Sequence, residues 1–212
     1  MAERSLRTIV YVDGFNFYYG AVKGTPWKWL DPAALFGKVL SPRNSLVKVK
    51  YFTARIRPTP SDPDIHVRQG TYLRALQAHS PLVEVHFGHF LRHRVLMEHA
   101  MPPPATVPVW KNEEKGSDVN LALHLLNDAW IDAYDCAVVV SNDSDLAESL
   151  RLVKQQNCKL IGLITPGAPA RKTSRQLAMH ADFVRTIRPA ALASSQLPNP
   201  VPGANFHKPA GW

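Results

Sequence analysis

Thr8-Ile-Val-Tyr-Val12-Asp13-Gly14 and Cys136-Ala-Val-Val-Val140-Ser-Asn-Asp143 are the two stretches on which the fold turns. Each is an uninterrupted, largely β-branched apolar run that ends in a small polar segment with an aspartate. A strand exposed on one face alternates apolar and polar residues. An unbroken run of this length predicts a strand covered on both faces, as in the middle of a parallel sheet. Lys159–Thr165 repeats the pattern, Val47–Ile56 and Leu82–Leu91 are further strand candidates, and Phe183–Ile187 predicts a last short strand.

Helical signals fall between these runs. Asn16 to Val22 begins a short helix. Asp31-Pro32 supplies a capping acid and a first-turn proline for a helix to about Leu40. Val67, Tyr72, Leu73 and Leu76 approximate one face of another helix, and Leu146–Gln156 and Ser174–His180 predict two more. Ser117 to Trp130 is the clearest, with Leu121, Ala122, Leu125, Leu126, Ala129 and Trp130 along one stripe. Residues 92–110, with Pro102-Pro103-Pro104, predict an irregular arm or loose hairpin. The alternation implies an α/β chain with a central, mainly parallel sheet between helical layers. The domain is expected over 1–188. Five prolines and few large apolar residues in 189–212 predict a disordered tail, removable at little cost in stability.

The chain has 212 residues, 45% hydrophobic and 20% charged, enough to build one full core. No apolar run approaches the roughly 20 residues of a membrane span, and the first residues lack an apolar leader segment, so a cytoplasmic location is expected. Cys136 and Cys158 are too few for a disulfide framework or a cysteine-rich zinc site and are expected as buried thiols. Charge is unevenly spread. Residues 1–112 carry +8, residues 113–150 carry −8 and residues 151–188 carry +7, within a net +8. A basic surface suits a polyanion, and an acidic patch within it suits a hard cation.

In parallel sheets the site lies beyond the carboxyl ends of the strands, where strand order reverses. That rule selects Asp13, after the first apolar run, and Asp143 and Asp145, after the Cys136–Ser141 run. Asp118 joins them because it opens a helix whose buried stripe runs through Leu121 and Leu125. A carboxylate there is costly to desolvate, and its acidic neighbours add repulsion that a divalent cation would relieve. Ordinary roles compete: a helix-dipole partner for Asp118, a capping box of Asp145 with Glu148, a plain turn at Asp13-Gly14.

Three segments, Ile9-Val-Tyr-Val-Asp13-Gly-Phe-Asn16, Glu114-Lys-Gly-Ser-Asp118-Val-Asn-Leu-Ala and Val140-Ser-Asn-Asp143-Ser-Asp145-Leu, resemble in order the signature segments of the NYN domain family. This is the LabA-like branch of the PIN-like nucleases, and the resemblance spans about residues 7–188. It implies a PIN-like α/β/α sandwich and a Mg²⁺- or Mn²⁺-dependent ribonuclease site. Asp13, Asp118, Asp143 and Asp145 would be the metal-binding carboxylates, with Asn16 as the accompanying polar residue. Where many members carry a further acid in the Asp118 helix, this chain has His124.

The residue types suit phosphodiester hydrolysis, in which bound Mg²⁺ activates water and neutralises phosphoryl charge. Candidate RNA contacts are Lys115, Ser141, Asn142, Tyr18, Arg92, Arg94, Arg171 and Lys172. The rival readings are a weakly active or inactive RNA- or protein-binding regulatory module of the same fold, and an aspartyl phosphatase. The phosphatase is disfavoured because Leu146-Ala147 follows Asp143-Ser-Asp145. His86, His89 and His93 fall on opposite strand faces and do not predict a zinc site. His124, four residues before Asp128, predicts an ordinary surface pair. One metal ion versus two, and a monomer versus a homodimer, stay open at this stage.

Overall fold

The computed structural model describes residues 5–167 and 172–212. Seven strands form one sheet: β1 (Leu6–Asp13), β2 (Asn44–Ala54), β3 (Val83–Glu98), β4 (Thr106–Lys115), β5 (Cys136–Val140), β6 (Leu160–Thr165) and β7 (Phe183–Thr186). Their order is β4-β3-β2-β1-β5-β6-β7, and among the described strands of this sheet only the β3–β4 pairing is antiparallel. The chain builds outward from β1 through β2 and β3, then returns to the other side of β1 with β5. Strand order therefore reverses between β1 and β5, whose adjacent strand ends carry Asp13 and the Ser141–Asp145 turn.

The central runs are buried on both faces as expected: Val10 and Val12 join one core, Ile9 and Tyr11 the other. The first core contains residues of α2 (Pro32–Val39) and α3 (Ile65–His79), and the second residues of α4 (Ser117–Trp130), α5 (Ala147–Asn157) and α6 (Arg175–Ala178). This is a three-layer α/β/α sandwich. Asp31 caps α2, its carboxylate accepting from the backbone of Ala33 (2.9 Å) and Ala34 (3.2 Å) with Pro32 at the first position. Among the described residues no helix is long and apolar enough to cross a membrane.

Several expectations need correction. Residues 92–110 form a hairpin, the second of the two expected alternatives, but a regular one: β3 continues to Glu98 and pairs with β4 over ten residue pairs, from His89 with Lys115 to Glu98 with Thr106, with 99–105 as the irregular connection. Its exposed apolar and basic side chains obscured the strand pattern in the sequence. Trp130 and Val67 are exposed and leave their predicted stripes, and Cys158 is exposed, in a left-handed turn after α5.

The segment after Arg188 is not a disordered tail. It forms the short helix α7 (Pro189–Ala193) and buries Leu192, Leu197 and Val201 in the first core. Its backbone crosses the α2 side: Asp31 N–H donates to Ser195 O (2.8 Å), Leu197 N–H to Trp29 O (2.8 Å), and the Trp29 indole to Pro198 O (3.1 Å). Proline-rich composition removed backbone donors without removing these three apolar anchors.

His124 and Asp128 are not a surface pair either. Asp128 is buried and accepts from Lys50 Nζ (2.6 Å) and from the Tyr11 hydroxyl (2.7 Å), while His124 lies against His86 and Phe52. Breaking a buried pair leaves an uncompensated charge. Asp128→Ala is expected to lower stability by about 3–5 kcal/mol in urea denaturation. A loss below about 1 kcal/mol would show that Lys50 finds water or another partner.

Candidate metal centre

Asp13 is the last residue of β1 and lies only 4% exposed. Its carboxylate caps α1 (Gly14–Phe17): Oδ1 accepts from Asn16 N–H (2.9 Å) and Oδ2 from the Ser141 hydroxyl (2.9 Å). Ser141 Oγ in turn accepts from Asp143 N–H (3.1 Å), and Asn142 N–H donates to Asn16 Oδ1 (3.2 Å). Asn16 and Ser141 thus tie the ends of β1 and β5 together and fix the orientation of the Asp13 carboxylate. Asp143 is half-buried, and its Oδ1 accepts from Asp145 N–H (3.1 Å) at the start of the 3₁₀ turn Ser144–Leu146. Asp145 itself is exposed. No capping box forms, since Glu148 pairs with Arg151 instead.

Asp118 sits half-buried in the first turn of α4. Burial, and then the charges of Asp13, Asp143, Glu114 and Asp145, push its carboxyl up to about 6 from 3.8. Burial raises Asp13 as well, against the two hydrogen bonds that favour its ionised form. The carboxylates therefore feel one another across one end of the sheet. Glu114 belongs to this group and was missed as a candidate. It sits in β4, and its two oxygens accept from the backbone (3.1 Å) and hydroxyl (2.8 Å) of Ser117, capping α4 in place of Gly116. The available signal was its spacing, three residues before Ser117.

The remaining candidates are less convergent. Lys115 reaches Glu113 (3.5 Å) and is half-exposed. The Asn142 side chain holds a loop, accepting from Ser174 N–H (2.7 Å) and donating to Lys172 O (3.2 Å). Lys172 is exposed. Arg92 lies over the Trp110 ring (4.8 Å) and Arg94 is exposed in register with Trp110, both on the β3–β4 hairpin. Phe90 near the base of that hairpin meets Phe15 of α1 edge-on (5.6 Å). Gly88 permits the close crossing there, since a Cβ would come within 2.6 Å of Lys115 O. Tyr18 lies in the single π-helical turn Tyr18–Val22 and lines a cavity beside Asp13's helix rather than the acidic edge itself. Arg171 lies outside the described residues.

Among the described residues no three His, Cys, Asp or Glu side chains stand ready as a closed set of metal ligands. The donor chemistry nevertheless fits a hard divalent cation: all-oxygen, acidic, mutually repelling and open to water on the Asp145 side. The proton affinity of Asp118 has a measurable consequence without metal. Between about pH 4 and 6 Asp118 keeps its proton in the folded state and loses it in the unfolded chain, so this group's contribution to stability falls as pH rises through that window. In EDTA, thermal melts should show the parent losing stability relative to Asp118→Asn as pH rises through that window. An identical pH profile for parent and variant would place Asp118 in ordinary solvent.

The NYN domain family model matches residues 7–188. The chain belongs to the NYN domain family. Membership points to nuclease-type, hydrolytic chemistry for this NYN protein. It is 34% identical over 235 aligned positions to a Pseudomonas putida protein named 6-hydroxy-3-succinoylpyridine 3-monooxygenase HspA, covering 98% of the NYN chain and 75% of the relative. The structure resembles that of a Vibrio parahaemolyticus protein of unknown function, with a TM-score of 0.54 at 18% identity, covering 89% of this chain and 97% of that one. That likeness extends to the fold alone.

Proposed function

We propose that this NYN protein is a divalent-metal-dependent endoribonuclease that hydrolyses RNA phosphodiester bonds at the end of β1 and β5. The observation that carries the reading is the mutual repulsion of Asp13, Asp118 and Asp143 at the point where strand order reverses. Asp13, Asp118, Asp143 and Asp145 would hold Mg²⁺ or Mn²⁺. Such a cation, when bound, lowers the pKa of its water and offsets charge developing on phosphoryl oxygens. Asn16 and Ser141 keep the Asp13 oxygens turned toward this edge. Glu114 adds negative charge while holding the start of α4. Arg92 and Arg94, on a hairpin whose base meets α1, suit the flanking phosphates of an RNA strand.

The test pairs stability with activity. Millimolar Mg²⁺ or Mn²⁺ should raise the melting temperature of the parent, since a ligand held only by the folded state stabilises it, by about 2.7 kcal/mol at a hundredfold excess over Kd. It should not raise that of Asp13→Asn/Asp143→Asn, and labelled RNA should be cut only by the parent with metal. Equal shifts for both proteins would remove the acidic cluster as a metal site.

A second reading follows from the Pseudomonas relative, whose name describes monooxygenation of a substituted pyridine. Its support is identity along almost the whole of this chain. Incubation with 6-hydroxy-3-succinoylpyridine, dioxygen and a reductant, followed by mass spectrometry, separates the two readings. Consumption of the pyridine with an oxygen atom from dioxygen carried into a product, without RNA cleavage, would favour the second.

A further inference from the structure

The pairing of β3 with β2 ends at Gly88, opposite Ala54. From His89 onward β3 pairs with β4 alone among the described residues, as a two-stranded ribbon. Side chains alternate along each strand, and directly opposed residues share a face. One face of the ribbon therefore carries Phe90, Arg92 and Arg94 from β3, opposite Glu114, Asn112 and Trp110 from β4. This face runs into the acidic edge. Glu114 holds the start of α4 beside Asp118, and Phe90 meets Phe15, two residues after Asp13. Trp110 stands four residues before Glu114, about 13 Å away at the rise of a strand.

The two faces of the ribbon differ in how their charges are used. On the opposite face Lys111 and Lys115 both pair with Glu113, the second at 3.5 Å, so its cations are answered within the chain. On this face neither Arg92 nor Arg94 has a carboxylate within ion-pair distance among the described residues, and both are exposed. The face's acids, Glu98 and Glu114, lie at its two ends, and Glu114 is committed to Ser117. The Arg92 guanidinium lies over the Trp110 ring, 4.8 Å from its centroid, yet the tryptophan stays 63% exposed. Single exposed apolar residues are ordinary. A large exposed ring between two unpaired planar cations is a more particular arrangement. It supplies the two things that hold a single nucleic-acid strand, an aromatic surface for a base and positive charge for the backbone.

We infer that this face of the ribbon anchors single-stranded RNA, with one base stacked on Trp110 and the adjoining phosphates at Arg92 and Arg94. The anchor lies outside the acidic edge, and a strand laid along the face reaches that edge within a few nucleotides. Unpaired RNA is favoured over a duplex, because a duplex keeps its base faces in its own stack whereas a single strand offers them to an aromatic side chain. The inference rests on the nuclease reading for the identity of the strand and deepens it, naming the form of RNA that is held and the residues that hold it.

The test uses the full chain in EDTA, so that binding is read without cleavage. A short labelled oligouridine is titrated by fluorescence anisotropy, beside an RNA duplex of the same length, with polyglutamate as a competing acidic polymer. Saturable binding of the single strand is expected, the duplex binding more weakly and polyglutamate competing poorly. Trp110→Ala should weaken the single strand about tenfold, within the range for removal of a base-stacking ring, and Trp110→Tyr should recover most of the loss. Arg92→Gln/Arg94→Gln should lower the slope of log K against log salt by about 1.4, as for two phosphate contacts on a single strand. If Trp110→Ala fails to fold, the salt slope of the arginine pair decides. No saturation, binding indifferent to Trp110→Ala in a folded variant, equal affinity for the duplex, or full competition by polyglutamate overturns the inference. RNA cleavage with metal alongside such a failure leaves the nuclease reading standing. Binding through Trp110 by a parent that never cuts RNA with metal retires that reading and keeps the binding face.

Discussion

Asp143→Asn is expected to lower divalent-dependent RNA cleavage by more than about a hundredfold while leaving the fold intact. Changes to groups that only support metal ligands already cost about 10–100-fold, and Asp143 is proposed as a ligand itself. The substitution preserves the local structure for a specific reason. Asp143 Oδ1 accepts from Asp145 N–H, and the amide oxygen of asparagine can do the same. What disappears is one negative charge facing Asp13 and Asp118. In EDTA the variant should therefore melt at the parent's temperature or above it. Undiminished metal-dependent cleavage by the variant would remove Asp143 from the site, whereas a large drop in melting temperature would make it structural.

Removal of residues 189–212 is expected to lower stability by at least about 5 kcal/mol. Leu192, Leu197 and Val201 are each nearly inaccessible to water, and burying such a side chain contributes about 1.5–3 kcal/mol. The deletion also uncovers Trp29 and Leu30, which the segment covers and bonds. For a chain of this size that corresponds to a fall of more than about 10 °C in melting temperature. A shift of only a few degrees would show that the segment's contacts contribute little in solution.

The sequence and the structure agree where local pattern and tertiary role coincide. β1, β5 and α4 were legible because a strand covered on both faces has to be apolar throughout, and because α4 buries Leu121 and Leu125 on one stripe. Asp31-Pro32 marked α2 because capping is a local interaction. The segment after Arg188 and the Asp128 pair were misread for the opposite reason, and the hairpin was expected without its regular strands. Leu197 looks like any isolated leucine among prolines until Trp29, 168 residues earlier, is brought beside it. Asp128 resembles a solvated helix acid until Lys50 and Tyr11 approach from the sheet. The four aspartates were legible as strand-end and helix-start residues. Glu114 was not, because its place depends on how β4 turns into α4 through Gly116 in the left-handed region.

The hydrogen bond between Ser141 and Asp13 joins residues 128 positions apart, which bears on when the site first exists. Until β5 docks against β1, Asp13 lacks both the Ser141 hydroxyl that orients it and its neighbours Asp143 and Asp145. Closing so long a loop is among the slower events of folding, and here the docking also brings like charges together. Assembly of the acidic edge is thus coupled to completion of the sheet's central pairing. A chain in which β5 has not docked holds Asp13 without Asp143 and Asp145 beside it, so the edge proposed to bind metal is complete only once the central pairing of the sheet is made.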